Sequence, residues 1–256
     1  MTSGAADGME WARFRQQYYG LLVALLAREP PGRILAELAQ GGGRAEAAGA
    51  LHPLLGEGWR RLDEALAGIT EPAAAEEWVR LFAGPFQPEV VPYESWYLTG
   101  QLFQAPLVAV KGFLARIGLE RRSEEYAEPE DALAFELEAM NWMITRELAA
   151  ASADEARQWT ERQEEFLRQH VLVWAPQCAA DLGAAPGAHL YRGVAGLVQG
   201  LLALERQRLL AGGGGEIETL EQARRRYGSP RGYSGPVYDP SAPAGASGKP
   251  PAGESE

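Results

Sequence analysis

The sequence has almost no cysteine. One thiol, Cys178, in 256 residues excludes an internal disulfide framework and any multi-cysteine metal site. Histidine is nearly as scarce: only His52, His170 and His189 occur. None stands in an H-x-x-x-H, H-E-x-x-H or E-x-x-H spacing that would set two ligands on one helical face. Basic residues are in deficit, 24 Lys and Arg against 35 Asp and Glu, for a formal charge of −11. No basic stripe emerges, which argues against a nucleic-acid footprint. The acidic balance leaves two readings open: a cationic partner, or a surface that simply keeps the protein in solution. No apolar run approaches the roughly 20 residues that cross a bilayer, so no membrane insertion is expected. The first ten residues lack a basic n-region and an apolar h-region, so no secretory signal is expected either and the chain is placed in the cytoplasm. Strand alternation of any length is missing, as is a convincing internal repeat.

What is present is helical periodicity on a normal apolar content of 46%. Trp11, Phe14, Tyr18, Leu21, Leu22 and Leu25 fall at the spacings that line one face of a helix over 9–28. A short helix over 34–40 ends at Gly41 to Gly43. The alanine-rich segment 44–68 reads as helix with a break near Pro53, and Pro72 opens another through Trp78 to Phe82. Helix resumes from about Tyr97, interrupted at Pro106, to Gly118. The clearest central helix covers 131–150, with Leu133, Leu137, Met140, Ile144 and Leu148 on one face. A long helix capped by Ser152 or Asp154 runs through Arg168 to Trp174, with Pro176 near its end. A last core helix covers 189–210. The pattern predicts an all-α protein, one bundle-like domain of about seven to nine helices. Residues 1–211 form that domain, 212–228 a glycine linker and a short peripheral helix, and 229–256 a Pro/Gly/Ser-rich tail expected to be disordered.

One stretch resists this pattern. From Leu81 to Leu102, Pro85, Pro88 and Pro92 forbid a through-running helix, yet Phe82, Phe86, Tyr93, Trp96 and Tyr97 crowd it. A connecting loop is normally small and polar; a stiff aromatic one suggests the wall of a groove. Glu94 within it is either a solvated loop carboxylate or part of that groove. Asp131 stands where a carboxylate caps the following helix. Glu136 lies on the edge of an apolar stripe and requires a buried partner, for which Tyr93 and Ser95 are candidates. His170 on an apolar face is a core histidine satisfied by a hydrogen bond, or a ligand. Cys178 is a small buried hydrophobe or a reactive thiol. No nucleophile elbow, phosphate cradle or metal spacing appears, so no cofactor and no catalysis are expected. An all-α hydrolase using Glu94 and Asp131 is the alternative from another class.

Three segments stand out: Leu81-Phe82 with Val91-Pro92-Tyr93-Glu94-Ser95-Trp96-Tyr97; E-P-E-D-A-L-A-F-E-L from Glu128 to Leu137; and F-L-R-Q-H-V-L-V-W-A-P from Phe166 to Pro176. Together they resemble the TorD/DmsD/NarJ superfamily of molybdoenzyme maturation chaperones. The resemblance implies an all-helical chaperone without catalysis. Its partner would be the catalytic subunit of a molybdopterin-containing oxidoreductase or its N-terminal twin-arginine leader, held until cofactor insertion. It places client contact at Tyr93, Glu94, Ser95, Trp96, Asp131 and Glu136, with Phe82, Pro92, Tyr97, His170 and Trp174 as structural lining. The family histidine after the aspartate is replaced by Ala132, so its part in leader recognition does not carry over, and the 81–102 stretch is expected to bear more of it. A helical scaffold that binds a partner without assisting cofactor insertion remains a rival. Monomer and homodimer are both open.

Overall fold

The computed structural model describes residues 2–84, 88–120, 128–213 and 215–228, with side chains from residue 8 onward. Pro85 and Phe86 of the aromatic stretch, most of the charged segment before Glu128, Gly214 of the linker and the tail after Gly228 lie outside them. The elements are α1 (Thr2–Leu26), α2 (Gly32–Ala39), α3 (Arg44–Leu51), α4 (Pro53–Leu66), α5 (Glu71–Trp78), α6 (Glu94–Thr99), α7 (Ala105–Arg116), α8 (Leu133–Leu148), α9 (Ala153–Phe166), α10 (Leu172–Ala184), α11 (Leu190–Ala211) and α12 (Leu220–Tyr227). Two π-turns, Val79–Ala83 and Leu167–Val171, extend α5 and join α9 to α10 into one run. The described residues therefore hold twelve helices and no strand, beyond a single isolated bridge between Tyr93 and Ala132. The all-α class stands, but the helix count exceeds the expected seven to nine.

The excess comes from short pieces. His52 leaves the helix in an extended conformation and Pro53 restarts it at the first position of α4. α6 forms inside the stretch read as loop, between Pro92 and Gly100, whose φ of 74° ends it. Pro106 opens α7 rather than interrupting it. Pro176 lies inside α10, not at its end. α8 begins at Leu133, so Asp131 precedes its N-cap and does not cap it.

α11 packs along α4, α1 along α8, and α10 against α11. The α4–α11 contact is backbone on backbone. A Cβ on Gly193 would fall 2.5 Å from the Leu62 nitrogen, and one on Gly200 2.6 Å from the Leu55 nitrogen. A Cβ on Gly196 would sit 2.8 Å from the Gly58 Cα. These glycines share one face of α11. Gly193→Ala is expected to lower stability by about 1–3 kcal/mol through this overpacking, although alanine is the better helix former. The readout is a lower urea midpoint at unchanged slope; a raised midpoint would show that the helices part without cost.

α1 buries a face rotated from the expected one. Arg15, Tyr19, Leu22 and Leu25 are buried, whereas Trp11, Phe14, Tyr18 and Leu21 are only partly so. Arg15 is matched inside. Its Nε donates to Glu205 Oε1 at 2.6 Å and its Nη1 to Gln163 Oε1 at 2.8 Å, while the Tyr19 hydroxyl donates to Glu205 at 3.1 Å. Four helices meet there, since Gln163 Nε2 also donates to Glu147 of α8 at 2.8 Å. Elsewhere Glu77 of α5 accepts from the backbone nitrogens of His189, Leu190 and Tyr191 at 2.8, 3.2 and 2.9 Å. It thereby satisfies the orphan donors at the start of α11. Among the described residues no helix is long and apolar enough to cross a membrane.

Candidate functional site

α6 is only six residues long, and its N-cap, Tyr93, makes no side-chain cap. Its first donors are satisfied from the segment before α8. The Glu94 nitrogen donates to the Asp131 carbonyl at 2.8 Å and the Ser95 nitrogen to Asp131 Oδ2 at 3.0 Å. The Ser95 hydroxyl donates to the same carboxylate oxygen, and the Leu133 nitrogen to the Pro92 carbonyl at 2.9 Å. Asp131 thus does the capping its position suggested, but for α6 across the site.

Behind α6 lies a buried polar core. Glu94 Oε2 meets His170 Nδ1 at 3.0 Å, and Trp174 Nε1 donates to Glu136 at 3.0 and 3.3 Å. Glu94 and Glu136 are neighbours in this core, each shifting the other's proton affinity. His170 sits in the second π-turn and Trp174 one turn on in α10, a placement typical of π-turns at functional sites. Burial, then the Glu94 charge, holds the Glu136 carboxyl well above the usual range. Burial also raises Glu94, with His170 opposing, and raises Asp131, with the Ser95 bonds opposing. Glu136 has the buried partner its place demanded, in Trp174 and Glu94 rather than Tyr93 or Ser95.

Exposure sorts the expected client-contacting residues into two groups. Glu94 and Asp131 are 1% exposed and Ser95 and Glu136 fully buried, so without rearrangement they shape the site from within. Tyr93 and Trp96 are half-buried and reach the surface. The Tyr93 hydroxyl donates to Glu128, and burial followed by that carboxylate raises its pKa. Of the lining residues, Phe82 packs edge-on against Tyr191 at 5.3 Å, and Tyr97 packs tilted against Trp174 at 5.4 Å. The Tyr97 hydroxyl donates to Asp181 Oδ2 at 2.7 Å, a pairing that nothing in the sequence signalled. Cys178 is buried, and burial raises its pKa, which makes it an unreactive core thiol. No group of three or more His, Cys, Asp or Glu among the described residues could hold a metal ion.

The stretch that carries this geometry coincides with a known family. Residues 49–180 match the model of the nitrate reductase delta subunit family. The chain belongs to that family. The family match takes in α4 to α9, the whole motif region and both π-turns, and leaves α1, α11 and α12 outside. Two curated relatives of the TorD/NarJ family agree. One, "Chaperone protein TorD" of Aeromonas salmonicida, is 32% identical over 120 residues, covering 47% of this chain and 54% of its own. The other, "Chaperone protein TorD" of Aliivibrio fischeri, is 27% identical over 133 residues, covering 51% and 61%. The chain thus spans little more than half the length of these curated relatives.

Proposed function

We propose that the chain is a non-catalytic chaperone for the catalytic subunit of a molybdopterin-containing oxidoreductase. It holds that subunit, by its twin-arginine leader, until the cofactor is inserted. Residues 1–211 form the chaperone unit, to which the linker and α12 are appended. The observation that carries the reading is the joining of the two motif segments. Asp131 and the Tyr93–Ala132 bridge fix α6 to the start of α8, presenting Tyr93 and Trp96 on a rigid base. The names of the TorD relatives support the chaperone class. An acidic protein suits a basic leader, and half-exposed aromatic rings suit its apolar stretch, docked as a helix in a groove.

The test is calorimetric titration of the full chain with the N-terminal peptide of the molybdoenzyme subunit encoded nearest to it. Tyr93→Ala is expected to weaken binding about tenfold or more, as loss of an aromatic anchor does, while the urea midpoint moves little. Glu94→Ala with Asp131→Ala is expected to lower stability before it alters affinity, because both carboxylates are buried. Unchanged affinity of folded Tyr93→Ala would put the groove elsewhere.

A further inference from the structure

α12 lies across the motif helix. Local signals make it a helix: Thr219 and Gln222 form a reciprocal capping box, and Arg224, Arg225 and Arg226 occupy the last turn, where cations complement the helix dipole. Its seat is formed by α6 and α10. Ile217, Leu220 and Ala223 are buried. Arg224 Nε donates to the Tyr97 carbonyl at 2.9 Å, within the last turn of α6, where carbonyls lack helical partners. Tyr227 is half-buried and packs on the core, close enough to Glu94 for that carboxylate to add to the rise that burial gives its hydroxyl. Beneath this seat Tyr97 bonds Asp181 and packs tilted against Trp174, which bonds Glu136. Arg225 and Arg226 pair with Glu221 and Glu218 of their own segment, so Arg224 carries the basic contact of α12 into the seat, on a chain whose charge is −11. α12 also lies outside the residues that match the family.

We propose that α12 is a built-in occupant of the partner groove: an arginine-bearing amphipathic helix that fills the seat a client's arginine-bearing segment takes, and that the client displaces. The proposal rests on the client reading above and adds a regulatory element to it. The seat has what such a segment requires. It offers an apolar bed for residues spaced three and four apart, helix-end carbonyls for a guanidinium, and acidic side chains behind. A groove filled by its own chain binds a client more weakly, in proportion to the fraction of molecules in which it is empty.

The experiment uses the full chain, Ala223→Glu and Arg224→Ala. The first variant drives a carboxylate into the fully buried contact; the second removes the Tyr97 bond without adding charge. The probe is a labelled synthetic peptide with two adjacent arginines followed by an apolar, helix-forming stretch, and its binding is read by anisotropy. Circular dichroism confirms that each variant is folded. Both variants are expected to bind at least about tenfold more tightly than the natural chain. Saturating peptide is expected to speed amide exchange over 217–227 of the natural chain. Equal affinity for all three chains, or retained protection of 217–227 with peptide bound, overturns the proposal and leaves the client reading standing. No binding to any of the three overturns both.

Discussion

Glu205→Ala is expected to cost about 3–5 kcal/mol, enough to threaten folding of the whole bundle. Glu205 is fully buried and Arg15 2% exposed. The pair is made at 2.6 Å, with Tyr19 on the same carboxylate oxygen and Gln163 on the other side of the guanidinium. Burial works against the guanidinium charge, yet Glu205, Tyr19 and Glu147 together hold Arg15 above its ordinary pKa. Removing the carboxylate leaves a buried cation that cannot release its proton and a tyrosine hydroxyl without its acceptor. For a protein of this size the loss corresponds to a fall in melting temperature on the order of 10 °C. Arg15→Met combined with Glu205→Leu removes both charges and is expected to regain most of the stability, since well-packed apolar replacements of buried pairs are often neutral or better. Thermal and urea unfolding of the three chains decide it. A Glu205→Ala loss under about 1 kcal/mol would place the pair among solvated surface bridges.

This network shows where sequence reading stops. Helical class, most helix spans and the apolar stripes of α8 and α11 were legible because each depends on residues three and four apart. Arg15 and Glu205 are 190 positions apart, and nothing local distinguishes a buried arginine on α1 from an exposed one. α6 was hidden for a different reason: a six-residue helix between a proline and a glycine is too short to show a period. Asp131 was legible as a cap but not as whose cap. A carboxylate ahead of an apolar run reads as local, whereas the helix that needs it is α6, with tyrosine at its N-cap. Glu136 was the most informative single residue of the site. A carboxylate on an apolar stripe demands a partner, and that demand led to the right region, though not to Trp174. The motif segments were legible in the sequence. Their division into buried braces and half-exposed rings was not, because residues 93 to 97 alternate between the two on a helix too short to reveal its face.

Glu136→Gln is expected to stabilise the protein at neutral pH and to flatten its pH dependence, whereas Glu136→Ala is expected to cost about 3 kcal/mol. Burial and the Glu94 charge favour the protonated form of the buried carboxyl in the native state, holding its pKa well above the ordinary value. In the unfolded chain it ionises near 4.3. Between the two values the native state binds more protons than the unfolded state, so stability falls as pH rises. The stabilisation is complete below the unfolded value and is lost as pH climbs through the folded one. Glu94, also raised, acts with the same sign. A glutamine at 136 keeps the volume and an oxygen that accepts from Trp174, offers Glu94 an amide donor, and has nothing to titrate. Alanine abandons both partners and leaves a void. Urea midpoints measured from about pH 5 to 8 separate the cases. A glutamine variant with the natural slope would move the titration to Glu94 or Asp131, the other buried carboxylates with raised pKa. Client affinity completes the argument. Glu136 never reaches the surface, so the folded glutamine variant is expected to bind as the natural chain does, while Tyr93→Ala is not. A glutamine variant that folds and fails to bind would mean that the client enters the buried core.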